Sequence, residues 1–305
     1  MKKNILVVGS LNMDIVVEMS KMPKEGETVL GNYLTYVPGG KGANQACAIG
    51  RLGGKAIILG CIGDDNFGKR QIDSLTQCGV CVEHVKIEQA LTGTAVVFVD
   101  KEGDNSIVVL TGANQYCDEN YIKKQDELFS EVEYVMFQME IPFEAVCYGI
   151  CRAKELGKIT LLNPAPAPDY IPDEILKHID YLTPNETELV KLTGVKDTSE
   201  KNIKEGARML LKKGVKNVLV TLGEQGVLLV NKNTEKLFVG RKVQAIDTTA
   251  AGDCFNGAFV TALAEGKTVE EAIEFSNYAS SIAVTRKGAQ SSIPYREEVE
   301  QCMMF

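Results

Sequence analysis

The chain has 305 residues, enough for one large α/β domain or two smaller ones. Apolar content of 45% and charged content of 24% are ordinary for a globular protein. A formal net charge of −8 argues against nucleic acid or an anionic membrane as the main partner, though local donors could still hold an anionic nucleotide.

The first strand is expected at Lys3–Val8, where the apolar run Ile5–Val8 is too short for a signal peptide. No run of about 18 apolar residues exists, so no membrane span is expected and the chain is read as cytoplasmic. Residues 13–37, interrupted by Pro23, Gly26 and Gly31, read as short strands and turns. A glycine-rich loop and first helical turn follow at Gly39–Asn44; Ala46, Ala48, Ile49 and Leu52 continue the helix until Gly53-Gly54 stops it. A second helical stretch, Phe67–Gln77, precedes Cys78-Gly79-Val80-Cys81. A redox pair of that spacing belongs at a helix N-terminus, and here it follows a helix end, so Cys78 and Cys81 are not read as redox-active. Nine scattered cysteines fit a reducing compartment.

Ala95–Asp100 and Ser106–Leu110 flank turn-forming residues and predict a hairpin. From residue 133 the pattern becomes regular, with strands at 133–138, 158–163, 179–183 and 216–222 and helices at 143–156, 186–193 and 200–213. Such alternation implies a doubly wound, mostly parallel α/β sheet flanked by helices. A late hairpin (226–230 and 235–239) and helices 252–265 and 268–285 complete it. The reading is a single domain over 1–305, with β-rich segments of about 13–37 and 91–111 forming a small projecting sheet.

Ligands of such sheets bind beyond the carboxyl ends of the strands. Asn12 and Asp14 follow the first strand, Glu140 the one ending near Gln138, Asn185 the one near Thr183, and Gly223–Gly226 the one ending at Leu222. Each alone could be a turn former or helix cap. Asn185-x-x-Glu188 has the spacing of a capping box.

The most informative segment is Asp247-Thr248-Thr249-Ala250-Ala251-Gly252-Asp253-Cys254-Phe255-Asn256-Gly257. It reads as a turn entering a helix, where the N–H groups of Ala250 to Asp253 would form an anion site. Asp253 could merely complement the helix dipole, or handle a proton beside a bound phosphoryl group. The Pro38-Gly39-Gly40-Lys41-Gly42-Ala43-Asn44-Gln45-Ala46 run lets a backbone approach a ligand; without Ser or Thr after the lysine it is not a Walker A loop. Alone, it could be a connector.

Together, in this order, the two segments resemble the sugar-binding and catalytic signatures of the ribokinase-like (PfkB) carbohydrate kinase family. The resemblance extends through Gly9–Asp14, Asn163-Pro164-Ala165, Thr183–Glu188 and Thr285–Ala289, and so covers essentially the whole chain. It implies ATP-dependent phosphorylation of a sugar hydroxyl. The particular runs Gly-Gly-Lys-Gly-Ala-Asn-Gln-Ala and Val-Thr-Arg-Lys-Gly-Ala-Gln point within the family to D-ribose, with deoxyribose, fructose or a nucleoside as alternative acceptors and a non-catalytic binding protein as a further one.

By that resemblance, Asn12, Met13, Asp14, Gly40, Lys41, Gly42, Ala43, Asn44 and Glu140 form the sugar site with Asp253, the expected base. The Ala250, Ala251 and Gly252 amides would hold the transferring group. Thr221, Leu222, Gly223, Glu224, Gln225 and Gly226 would form the nucleotide loop, Asn277 would face adenine, and Asn185 the phosphates. Glu188 would meet Mg²⁺ through water. Asp247, Thr249, Ala283, Arg286, Gly288 and Ser292 would hold a monovalent cation, K⁺ by expectation. The small sheet would close over the sugar and pair with its copy in a homodimer. Cys254, directly after the expected base, should pack in its helix, although a thiol there could make activity sensitive to oxidation.

Overall fold

A computed structural model describes residues 3–304. The chain begins β1 (Asn4–Val8), β2 (Asn12–Met19), β3 (Gly31–Gly39), α1 (Lys41–Arg51), β4 (Lys55–Gly63), α2 (Asn66–Gln77) and β5 (Val85–Glu88). It continues through β6 (Gly93–Val99), β7 (Asn105–Leu110), α3 (Glu119–Lys124), α4 (Asp126–Glu131), β8 (Tyr134–Phe137), α5 (Phe143–Glu155), β9 (Ile159–Leu162), α6 (Asp173–Leu176) and β10 (Tyr181–Leu182). After these come α7 (Glu186–Thr193), α8 (Glu200–Lys212), β11 (Asn217–Thr221), β12 (Gly226–Asn231), β13 (Glu235–Val239), α9 (Ala251–Ala264), α10 (Val269–Ala283) and α11 (Arg296–Met303).

Nine strands form the main sheet in the order β13-β12-β11-β10-β9-β8-β1-β4-β5. It is parallel from β5 to β11, and the antiparallel hairpin β12–β13 closes one edge. Alternate residues of one strand enter different cores. Ile5, Val7, Tyr134 and Met136 pack with Ile49 of α1 and Phe259 of α9. Leu6, Val8, Val135 and Phe137 pack with Ile150, Leu189 and Leu210 of α5, α7 and α8. That is the side-chain period of two in a sheet covered on both faces, and it explains why these strands read as continuous apolar runs.

β4 and β5 have no counterpart in the sequence reading, nor do α3, α4, α6 and α11. The apolar run of β4 directly follows the Gly53-Gly54 stop and has no alternation to mark it, because both its faces are covered. Another polar feature lies inside the fold: Asp180 beside β10 accepts from Lys154 Nζ and the Thr160 N–H at 2.7 and 2.9 Å, and pairs with Lys216 at 2.7 Å.

A separate four-stranded sheet has the order β3-β2-β6-β7, with β2 and β6 parallel and the outer pairs antiparallel. The expected hairpin is β6–β7. Asn12 and Asp14 do not trail the first strand as loop residues; they lie on β2, so the small sheet itself carries them. Its outer strands expose Tyr33, Leu34 and Ile107 to Leu110. Among the described residues, no helix is long and apolar enough to cross a membrane.

Candidate active site

The start of α1 is assembled from three distant segments. Gly40 precedes the helix with φ 87°, and a side-chain carbon there would fall 2.6 Å from the Asn12 nitrogen. Both facts require glycine. The first N–H groups of the helix need acceptors. Lys41 N–H donates to Glu140 Oε2 (3.0 Å), Ala43 N–H to the Ser10 carbonyl (2.9 Å), and Ser10 Oγ–H also donates to Glu140 (2.6 Å). Glu140 is therefore tied to the glycine-rich turn.

One turn into α1, two neighbouring amides meet Asp253, the third residue of α9. Asn44 Nδ2 donates to Asp253 Oδ2 at 2.9 Å, and Gln45 Nε2 to Oδ1 at 3.0 Å. Asp253 is only 5% exposed. Burial pushes its carboxyl up and Glu140 adds to this; Lys41 and the two amide donors oppose it without cancelling it. Burial also lifts Asp14, to about 7, helped by the charges of Glu140 and Asp253 and resisted by Lys41. Burial pulls Lys41 down, yet Asp253, Glu140, Glu188 and Asp14 raise it overall, so its ammonium stays charged. One cation thus stands among several carboxyl groups, and burial raises Asp14 and Asp253 among them.

The α9 terminus differs from expectation in one respect. Ala251 N–H is not free, because it donates to the Thr248 carbonyl at 3.2 Å. The amides of Gly252 and Asp253 have no acceptor among the described residues, and Ala250 at the cap makes no side-chain capping bond. An anion at this terminus would therefore meet fewer free donors than expected.

A cleft of about 460 Å³ opens in front of this terminus. Lys41, Asn185, Glu188, Thr221, Gly223, Gly226, Ala251, Gly252, Asp253 and Asn277 all line it. Leu222, Glu224 and Gln225 do not: Leu222 packs against the core, and Glu224 and Gln225 face solvent. A second cavity of about 350 Å³ is lined by Asn12 and Glu140, with Asn114, Val109 of β7 and Thr111 just beyond it. Met13 and Ala43 are wholly buried, so neither presents a side chain to a ligand.

Asn185 and Glu188 form the complete capping box of α7, with Asn185 N–H donating to Glu188 Oε2 at 2.8 Å. Burial raises the Glu188 carboxyl and Asp253 adds to it, against the Asn185 N–H and Lys41. It lines the cleft with Glu186 and Asp253, yet among the described residues no three His, Cys, Asp or Glu side chains gather as a metal cage. That suits a divalent ion held mostly by waters and phosphate oxygens.

Asp247 joins two segments: Oδ1 accepts from Thr249 N–H (2.9 Å) and Oδ2 from Gly288 N–H (2.8 Å). Its own N–H donates to the Val284 carbonyl at 3.2 Å, beside Ala283. The Arg286 guanidinium turns away to pair with Glu298, so only the Arg286 carbonyl could serve a cation. Ser292 Oγ–H is spent on the Ala289 carbonyl (2.8 Å), with no hydrogen bond to Asp247 among the described residues. The donors are all oxygens, which fits a hard cation.

Residues that sequence reasoning missed are Ser10, Gln45, Asn114, Gln138 and Asn256. Asn114 Nδ2 holds Asn12 Oδ1 at 2.7 Å, which leaves Asn12 Nδ2 as the free end. Asn256 lines the cleft, and both of its buried amide atoms lack a partner. As expected, Cys78 ends a helix rather than starting one. A hydrogen bond from buried Cys47 holds Cys78 down to about 7, while Cys81 belongs to a β-bridge with Ile57. Cys254 is fully buried, and burial pushes its thiol up, so it packs.

A family model described as pfkB family carbohydrate kinase matches residues 2–296. A ribokinase of Haemophilus influenzae is 43% identical over 299 residues, covering 98% of this chain and 97% of the relative. A deoxyribokinase of Salmonella typhimurium is 35% identical over 299 residues, covering 98% of each. The structure of Arabidopsis thaliana ribokinase complexed with ribose and ATP superposes with a TM-score of 0.93 at 36% identity, covering 100% of both chains. The chain belongs to the pfkB family of carbohydrate kinases. It is a sugar kinase with the ribokinase-like α/β fold and its small accessory sheet.

Proposed function

We propose that the protein transfers the γ-phosphoryl group of ATP to the 5-hydroxyl of D-ribose, giving D-ribose 5-phosphate and ADP. The observation that carries this reading is the placement of Asp253. It is clamped by Asn44 and Gln45 at the open N-terminus of α9 and lines the cleft together with Lys41. Relatives named as ribokinases at about two-fifths identity over the full chain support ribose as the acceptor.

Asn12, Asp14, Lys41, Asn44 and Glu140 bind the sugar hydroxyls, and Asp253 takes the proton from the primary hydroxyl as its oxygen attacks phosphorus in line. The free N–H groups of Gly252 and Asp253 stabilise the charge that develops on the transferring group. Asn185, Thr221, Gly223, Gly226 and Asn277 bind the nucleotide. Glu188 would hold Mg²⁺ through water, and the ion would supply neutralising charge to the phosphates; Asp247, Thr249 and the carbonyls of Ala283, Arg286 and Gly288, with Ser292, would hold K⁺ beside the loop leading into α9.

The protein acts in the cytoplasm as one catalytic unit over 1–305, and the exposed apolar rows on β3 and β7 support pairing of the small sheets in a homodimer. The deoxyribokinase relatives favour one second reading, 2-deoxyribose as acceptor. ADP release measured over a panel of sugars tests both. Ribose should give the highest kcat/KM; a preference for deoxyribose selects the second reading, and no sugar-dependent ADP refutes both.

A further inference from the structure

We propose that Gln45 is a positioning residue for Asp253: its amide fixes the carboxylate from the helix side and leaves the remaining lone pairs for the substrate hydroxyl. This rests on Asp253 being the base.

Gln45 is 0% exposed, on a helix whose neighbouring residues Ala46, Ala48 and Ile49 are core. A buried primary amide is costly there unless every group is paired. Its hydrogen bonds run entirely to side chains: Nε2 to Asp253 Oδ1 (3.0 Å) and Asn163 Oδ1 (3.2 Å), and Oε1 from Gln138 Nε2 (2.7 Å). None of these caps a helix or closes a loop, so backbone satisfaction does not account for the residue. A carboxylate only accepts, so the end facing Asp253 must be the NH₂ group; Asn163 also turns its Oδ1 to that end, because its own NH₂ donates to the Thr183 carbonyl at 3.1 Å. Gln138 is itself fully buried, and its Oε1 occupies the space of a missing side chain. A carbon added at Gly9 would lie 2.0 Å from it.

Asn44 and Gln45 are consecutive on α1 and so diverge by about 100° around the helix, which lets them take different oxygens of one carboxylate. Both donors favour the ionised base, against burial. The other charged or titratable groups facing Asp253 are Lys41 from α1, Asp14 from β2, Glu140 after β8, Glu188 from α7 and the adjacent Cys254 thiol.

The test uses Gln45→Met, Gln45→Glu and each in an Asp253→Asn background, read by turnover against pH. Gln45→Met should lower saturated turnover by about tenfold or more while the KM for ATP holds. The acid limb of its profile should rise by about one pH unit. Gln45→Glu keeps the shape but sets a second carboxyl against the first, so its acid limb should move up further. With Asp253→Asn, either change should cost less than about twofold more, because the group it positions is gone. Acid limbs that stay put, or losses that multiply undiminished in the Asp253→Asn background, overturn the proposal. If Asp253→Asn alone keeps full turnover, the functional reading fails instead.

Discussion

Lowering the pH from 8 to 6 should weaken sugar binding through Asp14. Its carboxyl is pushed up to about 7 by burial, then by the neighbouring charges of Glu140 and Asp253, with Lys41 opposing. Ionised, it can accept from two sugar hydroxyls; protonated, it gives up part of that capacity. If only the ionised form binds, the apparent dissociation constant scales as one plus the protonated-to-ionised ratio, a factor of about 1.1 at pH 8 and about 11 at pH 6. Ribose affinity should therefore fall about tenfold, or ~1.4 kcal/mol, between those values.

Titration calorimetry in two buffers of different protonation enthalpy should also find close to half a proton released per ribose near pH 7. The same shift sets a sign for stability without sugar. A folded pKa raised above the ordinary 3.8 stabilises fully below 3.8, and that contribution is lost as pH rises through about 7. At most about 4 kcal/mol is at stake. Asp14→Asn should flatten both dependences, and should raise the unliganded melting temperature at pH 8. Ribose affinity independent of pH from 6 to 8, or an Asp14→Asn variant that keeps the slope, refutes the reasoning.

Asp253→Asn is nearly isosteric and should keep its melting temperature and ATP affinity while saturated turnover drops by about 10²–10⁴. A destabilised but fully active variant would show that Asp253 merely complements the dipole of α9. Replacing Na⁺ by K⁺ at constant ionic strength should raise activity, and Asp247→Ala should abolish the response. Equal activity without any K⁺-like ion removes the cation site. Asp180, held low despite its burial by Lys154, Lys216 and the Thr160 N–H, contributes stability above its unfolded pKa that is lost as pH falls through its lower folded value. Asp180→Asn should cost about 1.5–3 kcal/mol in denaturant unfolding at pH 7, the worth of hydrogen bonds to a charged group whose lysine partners still reach solvent, and that cost should shrink toward pH 3.

The parts of the site legible in the sequence are those where backbone geometry restricts residue choice. Gly40 must be glycine at φ 87°, and a turn running into a helix start announces Gly252 and Asp253. Asn185 and Glu188 were visible through capping chemistry that holds whether or not a nucleotide binds. Ser10, Gln45, Asn114 and Gln138 were not, because their partners lie between 32 and 208 residues away and leave no local pattern. Gln45 did leave a faint signal, a polar residue followed by the apolar Ala46-Cys47-Ala48-Ile49 run, where an amide must find partners or cost stability. The fold shows the same division. Strands flanked by amphipathic helices could be read, whereas β4, covered on both faces and entered straight from a glycine pair, had no period to betray it. Even the placement of Asn12 and Asp14 on β2 follows from long-range pairing: β2 aligns Asn12 with both Gly39 and Gly93, so the small sheet brings these two residues to the glycine-rich turn. Motion of that sheet would therefore move Asp14 relative to Asp253, which under the proposed function would tie sugar capture to the geometry of the base.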